Sequence, residues 1–487
     1  MNPESQSPGR RSLPVFLIVS RILSVALILG FWGQISKACA LTLPEAVSRA
    51  LSKNPALLES SLSGAIMHAR KIQAMGAWLP AMSVSESAIS TTNPLNAFGL
   101  LLNEGVVQSG QLSNVNSLNN PSATQAFGFA AIVSETVFQG GKRFFTYQAS
   151  TKGEQEARLE VKRAREKLIS DVTKAYFDVV SSERKLQVIE RERAAVRSSL
   201  SRASQSYRDG GIDKTMYDEA RLKSQSIELS CFRAHKAVDV AKMKLARLMG
   251  FPSGDLPEAL SKERFSLPPG GVKWARALID RYSTARFQTL STQALSHRPD
   301  YQASVLGVQG GSSLLSAARS GFWPALSAQG IFNEYAEGIN TWGKQDYTVM
   351  GMLSWSILNG LSDKEQSERS HARLRQALYS RQDLKSKIVY EVAKSRSDAK
   401  VLESTLEFDE QKVGIRSEEK QVEEDRVSQG IDPPVMLLDA DVRLADARLV
   451  LLSDKIALMD AGVDLLLATG ELGDRGMVPG AMEVSGK

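Results

Sequence analysis

The chain has 487 residues, of which 43% are apolar and 23% charged, with a formal net charge of +6. This composition excludes a disordered chain, and the weak positive charge gives no footprint for binding nucleic acid. With two cysteines, and four histidines that lack ligand spacing among themselves, the sequence predicts no disulfide framework, no metal site and no cofactor site.

The first forty residues have the pattern of a secretory signal peptide. Arg10 and Arg11 precede an apolar stretch that ends in the small-residue site Ala38-Cys39-Ala40. Two alternatives stay open, namely an uncleaved N-terminal anchor and a lipidated Cys39. We predict a signal peptide over 1–40. No later window is long and apolar enough for a membrane-spanning helix, so the rest of the chain is either soluble after export or crosses a membrane as strands.

The remainder of the chain contains two similar halves. Both halves carry the same four landmarks in the same order: an X-Pro pair, a tryptophan and a proline before a strand, a glycine before a long helix, and a Gly-Ile-Asp turn. In the first half these are Asn54-Pro55, Trp78–Pro80, Gly141 and Gly211–Asp213. In the second half they are Arg298-Pro299, Trp323-Pro324, Gly360 and Gly430–Asp432. In each half 25 residues separate the two prolines, and 70 separate the two glycines. This spacing predicts structural repeats over 41–250 and 290–470, an irregular equatorial connector over 251–289 and a flexible tail over 471–487.

The predicted elements follow the same order in both repeats. The first repeat has a helix over Leu43–Gly76 that is broken at Asn54-Pro55, followed by two strands, Ala81–Ile89 and Ala126–Phe138, around the polar loop 90–125. A long proline-free helix over Lys142–Arg208 and a return helix over Lys214–Met249 complete it. The second repeats them over Leu290–Arg319, Ala325–Tyr335, Tyr347–Ile357, Leu361–Ser428 and Val435–Thr469. The alternating strands are long enough for tilted membrane strands, which need about 9–11 residues.

The long helices and the strands together predict an assembly. A helix of 67 residues, such as Lys142–Arg208, spans roughly 100 Å and needs lateral partners. Four amphipathic strands cannot close on themselves, whereas three copies supply 12. The predicted fold class is therefore mainly α with a small β part: long antiparallel hairpins form an α-barrel, and four strands per chain contribute to a trimeric 12-stranded transmembrane β-barrel.

The segment Leu41-Thr42-Leu43-Pro44-Glu45-Ala46-Val47, the Trp78–Pro80 strand start, and the turns at Gly211 and Gly430 resemble the outer-membrane efflux (TolC) family. The resemblance covers about 41–470. It implies a homotrimeric channel in outer-membrane lipid that extends into the periplasm of a Gram-negative bacterium. It also implies passive export of drugs, metals or secreted proteins delivered by an inner-membrane pump and a periplasmic adaptor (membrane fusion protein), with no enzymatic activity.

In this family the turns between the long helices form a closed periplasmic aperture and the adaptor-docking surface. The matching turns lie at 209–218 and 429–439, which makes Gly210, Gly211, Ile212, Gly430 and Ile431 the expected adaptor contacts.

The same resemblance points to charged residues at the aperture. Asp439 matches an acidic pore position, and Asp218 is its weaker counterpart in the first half. A second family acidic position is Met436 here, and Asp432 replaces a basic gating residue, so Lys214 against Asp432 is a candidate replacement contact. Asp439 has two open interpretations: a member of a cation-selective ring, or a polar residue favoured near a helix N-terminus.

Two tryptophans and one cysteine have competing interpretations. Trp78 and Trp323 are candidate anchors at the membrane interface, although packing at the helix-to-strand junction is the alternative. Cys231, among apolar helix neighbours, is expected to be inert packing rather than a nucleophile.

The alternative function is a periplasmic coiled-coil adaptor or scaffold of a transport system, which would carry one hairpin rather than two. No catalytic residues are predicted.

Overall fold

The computed structural model describes residues 41–338 and 343–473. Its first half contains the helices and strands α1 Leu43–Lys53, α2 Pro55–Gly76, β1 Ala81–Thr91, α3 Pro94–Glu104, α4 Ser109–Ser113, α5 Val115–Asn119, β2 Thr124–Gln139, α6 Lys142–Arg208 and α7 Lys214–Leu248. The second half contains α8 Gly271–Thr284, α9 Phe287–His297, α10 Pro299–Arg319, a short 3₁₀ turn over Ser320–Phe322, β3 Ala325–Ala336, β4 Lys344–Ser354, α11 Ser362–Ser428 and α12 Pro434–Thr469. The predicted fold class, helical with a small antiparallel sheet and long hairpins, is confirmed.

Several predicted boundaries differ from the structure by one to three residues, and two segments predicted as irregular contain helices. The polar segment 90–125 is not only a loop, because it contains α3 to α5, and Asn93 caps α3 by accepting a hydrogen bond from the backbone of Asn96. The connector 251–289 contains α8, whose apolar residues face the core. β4 ends at Ser354 rather than Ile357. The predicted signal peptide and the tail after residue 473 lie outside the described residues.

The four strands form one antiparallel sheet in the order β1-β2-β3-β4. Its register places an apolar set of side chains on one face, namely Met82, Val84, Phe129, Val133, Leu326, Phe332, Tyr347, Val349 and Leu353, with Glu86, Glu135 and Glu334 as charged exceptions. The opposite face carries Ser83, Ser85, Ser87, Ser134, Gln329, Asn333 and Thr348 among its residues. The sheet is therefore amphipathic, and β1 and β4 are its two edges.

The helices pack side by side in a layer whose members alternate in direction. Next to the sheet the lateral order is α2-α6-α10-α11, and further away it is α7-α6-α12-α11. Thus α6 and α11 run through both halves of the layer, and α11 is the edge helix throughout. No helix within the described residues has the length and apolar content needed to cross a membrane.

The apolar core lies at the middle of the long helices, where a second layer of helices covers them. There α8 packs on α12 and α11, and α1 packs on α6. Tyr176, Leu245, Ile279, Tyr282 and Leu465 are almost fully buried in this cluster. Core packing is thus concentrated in a belt, whereas the ends of the hairpins have few buried residues.

Two repeat landmarks meet at equivalent junctions in this belt. The Nδ2 of Asn54 donates to the backbone carbonyl of Leu248 at 2.8 Å, while its Oδ1 caps α2. In the second repeat, Nη1 of Arg298 donates to the carbonyl of Ala468 at 3.4 Å. In each repeat, the residue before the X-Pro proline therefore ties the start of one helix to the end of the return helix.

Candidate functional site

The two turns between long helices and return helices are built alike and lie at the same end of the molecule. Gly210 and Gly430 have φ values of +76° and +74°, a left-handed conformation that glycine adopts without strain. After them, the backbone N–H of Gly211 donates to Ser206 at 2.8 Å and that of Ile431 donates to Arg426 at 2.9 Å. These bonds close both helix ends, so each turn is a rigid, exposed tip.

The tip of the first hairpin is fixed by one further contact and by a cap. The rings of Tyr207 and Tyr217 stack across the turn with centroids 5.1 Å apart. Asp213 begins α7 by accepting a hydrogen bond from the backbone N–H of Met216 at 2.8 Å. In the second turn Ile431 takes the position of Gly211 and is 59% exposed, while Ile212 follows one position later in the first turn. An apolar residue is therefore presented to solvent at the tip.

The predicted aperture residues have partners that the sequence did not reveal. Asp439 forms an ion pair with Lys223 of the neighbouring hairpin, and both side chains are about one-third exposed. This contact holds the two hairpin tips at the same level. Because Lys223 offsets the charge of Asp439 within the chain, a negative ring built on Asp439 alone would be weaker than the sequence suggests.

Asp432 also has a partner within its own turn. Arg426 donates to Asp432 at 2.5 Å, and this hydrogen bond holds the pKa of Asp432 below its usual value. Within the described chain, Asp432 is therefore paired with Arg426 rather than with the predicted Lys214. Asp218 is half-buried, and its nearest cation is Arg221 at 4.0 Å. The signal for the Arg426 contact was a basic residue in the last turn of the long helix.

Exposed tryptophans mark the helix-facing end of the sheet. Trp78 and Trp323 lie three and two residues before the first residues of β1 and β3, and they are 50% and 63% exposed. Trp355, just after β4, is 61% exposed and donates its indole N–H to the carbonyl of Phe322 at 3.1 Å. The sequence analysis placed Trp355 inside a strand and missed it as a third member of this group.

The apolar face of the sheet is exposed on both of its edge strands. Val84, Tyr347, Val349 and Leu353 are between 62% and 81% exposed. A contiguous apolar surface of this kind is costly in water and marks a surface that contacts lipid or protein.

Both lateral edges of the helical layer also expose apolar residues. On α7 these are Leu222, Leu229, Phe232 and Val240, and on α11 they are Val401, Phe408, Ile415 and Val422. The residues on α11 are spaced by seven, which is the repeat of a helix seam. Each edge thus has the pattern of a packing surface without a packing partner in the single chain.

Among the described residues, one group has the donor set of a metal site. Glu190 on α6 and Cys231 and His235 on α7 bring their ligand atoms within 4.8 Å of one another. Cys231 is 2% exposed, as expected for packing, but its side chain borders the Glu190–His235 pair. The sequence analysis compared the histidines only with each other and missed the spacing of four residues between Cys231 and His235.

Comparisons with known proteins agree with this geometry. The model of the outer membrane efflux protein family matches residues 46–251 and 290–471. The Campylobacter jejuni CmeC outer membrane channel superposes with a TM-score of 0.74 at 17% identity, covering 88% of this chain and 85% of that one. The Neisseria gonorrhoeae MtrE outer membrane channel in its open state gives 0.68 at 17% identity, covering 88% and 89%.

A third solved structure, the outer membrane protein VceC from Vibrio cholerae, gives a TM-score of 0.71 at 16% identity, covering 88% of this chain and 96% of that one. No curated protein matches the chain. At these identities the structural likeness shows the fold, and the family match spans both repeats. The chain belongs to the outer membrane efflux protein family.

Proposed function

We propose that this protein is an outer-membrane channel that exports substrates passively, as the outer component of a system with an inner-membrane pump and a periplasmic adaptor. The observation that carries the proposal is the amphipathic sheet whose exposed apolar face continues a long helical layer with open edges. A lipid bilayer covers such a face, and the helices then extend into the periplasm.

The ring has three copies in this proposal. The chain contributes an even number of strands, so β4 runs opposite to β1 and can pair with β1 of the next copy in the same antiparallel sense as the pairs within the sheet. The helical layer follows the same rule, because α11 at one edge and α2 or α7 at the other run in opposite directions. Three copies give 12 strands, which closes every edge.

The internal repeat supplies a register for the contact between copies. Within one chain, Lys174 of α6 pairs with Asp464 of α12. The repeat offset of 220 residues, read from Gly210 to Gly430, converts this α6–α12 contact into an α11–α7 contact between copies. That register sets Leu229 of one copy beside Phe408 of the next.

The same register sets Leu222 beside Ile415, again within one residue. All four side chains are exposed in the single chain, between 48% and 67%. Two apolar stripes on opposite edges therefore coincide at the register that the repeat dictates. Burying them against each other would contribute about 25 cal/mol for each Å² of apolar surface removed from water.

The exposed tips are the proposed aperture and the adaptor-contact surface. Gly210, Gly211, Ile212, Gly430 and Ile431 offer rigid backbone and apolar side chains to a partner. Asp218, Asp432, Asp439 and Lys214 lie on the turns or within the first turns that follow them, where the subunits of a closed ring converge. The exposed tryptophans Trp78 and Trp323 are the proposed anchors at the membrane interface.

The proposal is tested by fractionation and by conductance. We expect the protein in the outer-membrane fraction and a discrete single-channel conductance when the detergent-purified protein is added to a planar bilayer. Asp439→Ala is expected to change cation block of that conductance, while Asp239→Ala, on the return helix of the first repeat and far from the tips, leaves it unchanged. Recovery in the soluble periplasmic fraction without channel activity would contradict the proposal and would favour an adaptor or scaffold.

A further inference from the structure

The α6–α7 hairpin is bridged by a ladder of acid–base pairs that are seven residues apart on each helix. Arg197 pairs with Glu228 at 2.5 Å, and Glu183 pairs with Lys242 at 2.8 Å. Between them, Glu190 approaches His235 at 3.4 Å. The flanking pairs use an arginine and a lysine as the base, whereas the middle pair uses an imidazole, which is a metal ligand in its neutral form.

The middle pair differs from its neighbours in a second way, because a thiol lies beside it. Cys231 precedes His235 by one helical turn, so both side chains lie on the face of α7 that meets α6. At the next pair along α7, the residue four positions before Lys242 is the apolar Val238. The thiol, imidazole and carboxylate therefore converge at one level of the hairpin.

The distances suit a four-coordinate ion after a small adjustment. Zn²⁺ binds sulfur at about 2.3 Å and nitrogen or oxygen at about 2.0–2.2 Å, which sets ligand atoms about 3.3–3.8 Å apart in a tetrahedron. The Glu190–His235 separation already falls in this range, and all three ligand atoms lie within 4.8 Å of one another. The other separations are at most 4.8 Å, so they exceed this range by no more than about 1 Å.

We propose that Glu190, Cys231 and His235 form a binding site for a borderline-soft divalent ion of the Zn²⁺ class. The thiolate and imidazole favour such an ion over Mg²⁺ or Ca²⁺, which prefer oxygen ligands. On binding, Sγ of Cys231 forms the metal–sulfur bond and releases its proton to solvent. The fourth position is open to water, because Glu190 and His235 are 43% and 53% exposed.

Bound metal would join α6 to α7 within one chain, so the site is complete without a neighbouring copy. It would replace a weak exposed contact with a cross-link at mid-hairpin. The ion would thereby resist separation of the two helices in the half of the helical layer that leads to the tips.

The test uses the full-length protein, purified in detergent and reduced, with Cd²⁺ as the probe. Binding of Cd²⁺ to a thiolate produces an ultraviolet charge-transfer band, so the ion itself reports the metal–sulfur bond and no separate thiol reagent is needed. We expect one Cd²⁺ per chain, displacement of Cd²⁺ by Zn²⁺ and loss of the band in Cys231→Ser.

The three ligands are separated by matched variants. Glu190→Gln and His235→Asn are each expected to weaken Cd²⁺ binding at least about tenfold, since even loss of an outer-shell partner costs 10–100-fold. Glu183→Gln makes the same chemical change one heptad away on α6, beside no thiol, and is expected to leave the affinity unchanged.

Two results would overturn the site. One is the absence of a thiolate band in the parent protein. The other is an affinity in Glu190→Gln and His235→Asn equal to that of the parent, which would mean that the thiol binds Cd²⁺ without them. A rise in the unfolding midpoint with Zn²⁺, present in the parent and absent in His235→Asn, is the second expected readout and does not depend on Cys231→Ser folding.

Discussion

A charge placed on the apolar face of the sheet should be far more damaging than the same charge on the opposite face. Val349 is at the centre of β4, five residues from each end, and is 80% exposed on the apolar face. Thr348 is its neighbour in the chain, is also exposed and faces the other way. Val349→Arg and Thr348→Arg therefore form a matched pair that differs only in the face.

The expected free-energy cost of Val349→Arg follows from the length of the strand. Eleven residues at about 3.4 Å each span about 37 Å, which a tilt of about 45° reduces to about 26 Å, close to the apolar thickness of an outer membrane. Val349 then lies near the bilayer midplane, where an arginine costs about 2–4 kcal/mol. That cost corresponds to about a 30- to 700-fold shift of the folding equilibrium.

The assay is the amount of assembled protein in outer membranes, together with the urea midpoint of the protein refolded into lipid. We expect Val349→Arg to lower both and Thr348→Arg to lower neither by a comparable amount. Equal losses from the two variants would refute the assignment of the apolar face to lipid.

Two further predictions concern the belt and the hairpins. Gly250→Ala would force the new Cβ against the carbonyl of Lys53. Its control is Gly210→Ala, which has a similar positive φ but open space around the new Cβ, and which should lower the free energy of unfolding by about 1–2 kcal/mol. We expect Gly250→Ala to lower the unfolding midpoint clearly more than this control, and equal midpoints would contradict the close approach. Burial, with a smaller contribution from the nearby Asp446, raises the pKa of Glu192 to about 7. Between about pH 4.5 and pH 7 the folded state therefore holds a proton that the unfolded state has lost, so the free energy of unfolding decreases as the pH rises through this range. Glu192→Gln should therefore stabilise the protein by up to about 3 kcal/mol at pH 8 and by almost nothing at pH 4.5, measured by thermal unfolding in detergent; equal gains at both pH values would contradict a raised pKa.

Elements with strong periodic or boundary signals could be predicted from the sequence. The helix Lys142–Arg208 was predicted to the residue, because a glycine precedes it, a glycine turn follows it and no proline interrupts it. The breaks at Asn54 and Arg298 were predicted from the prolines that follow them. Local chain chemistry sets each of these boundaries.

Elements that depend on tertiary contacts were harder to predict. The helix Gly271–Thr284 was assigned to an irregular connector because prolines precede it, although Trp274 and Leu278 recur with helical spacing and pack in the belt. The ion pairs Arg426–Asp432 and Lys223–Asp439 depend on side-chain geometry that spacing alone does not specify. A single sequence therefore predicts the order of helices and strands better than the ion pairs at the hairpin tips.

The ring itself is tested most directly by a disulfide between copies. In a chain without native cysteines, Leu229→Cys and Phe408→Cys occupy the two opposite edges, and the repeat register brings them together only between copies. Oxidation of the double variant in intact outer membranes should give linked species of up to three chains, while each single variant stays unlinked. A double variant that remains a single chain after oxidation, or single variants that link equally well, would contradict the ring.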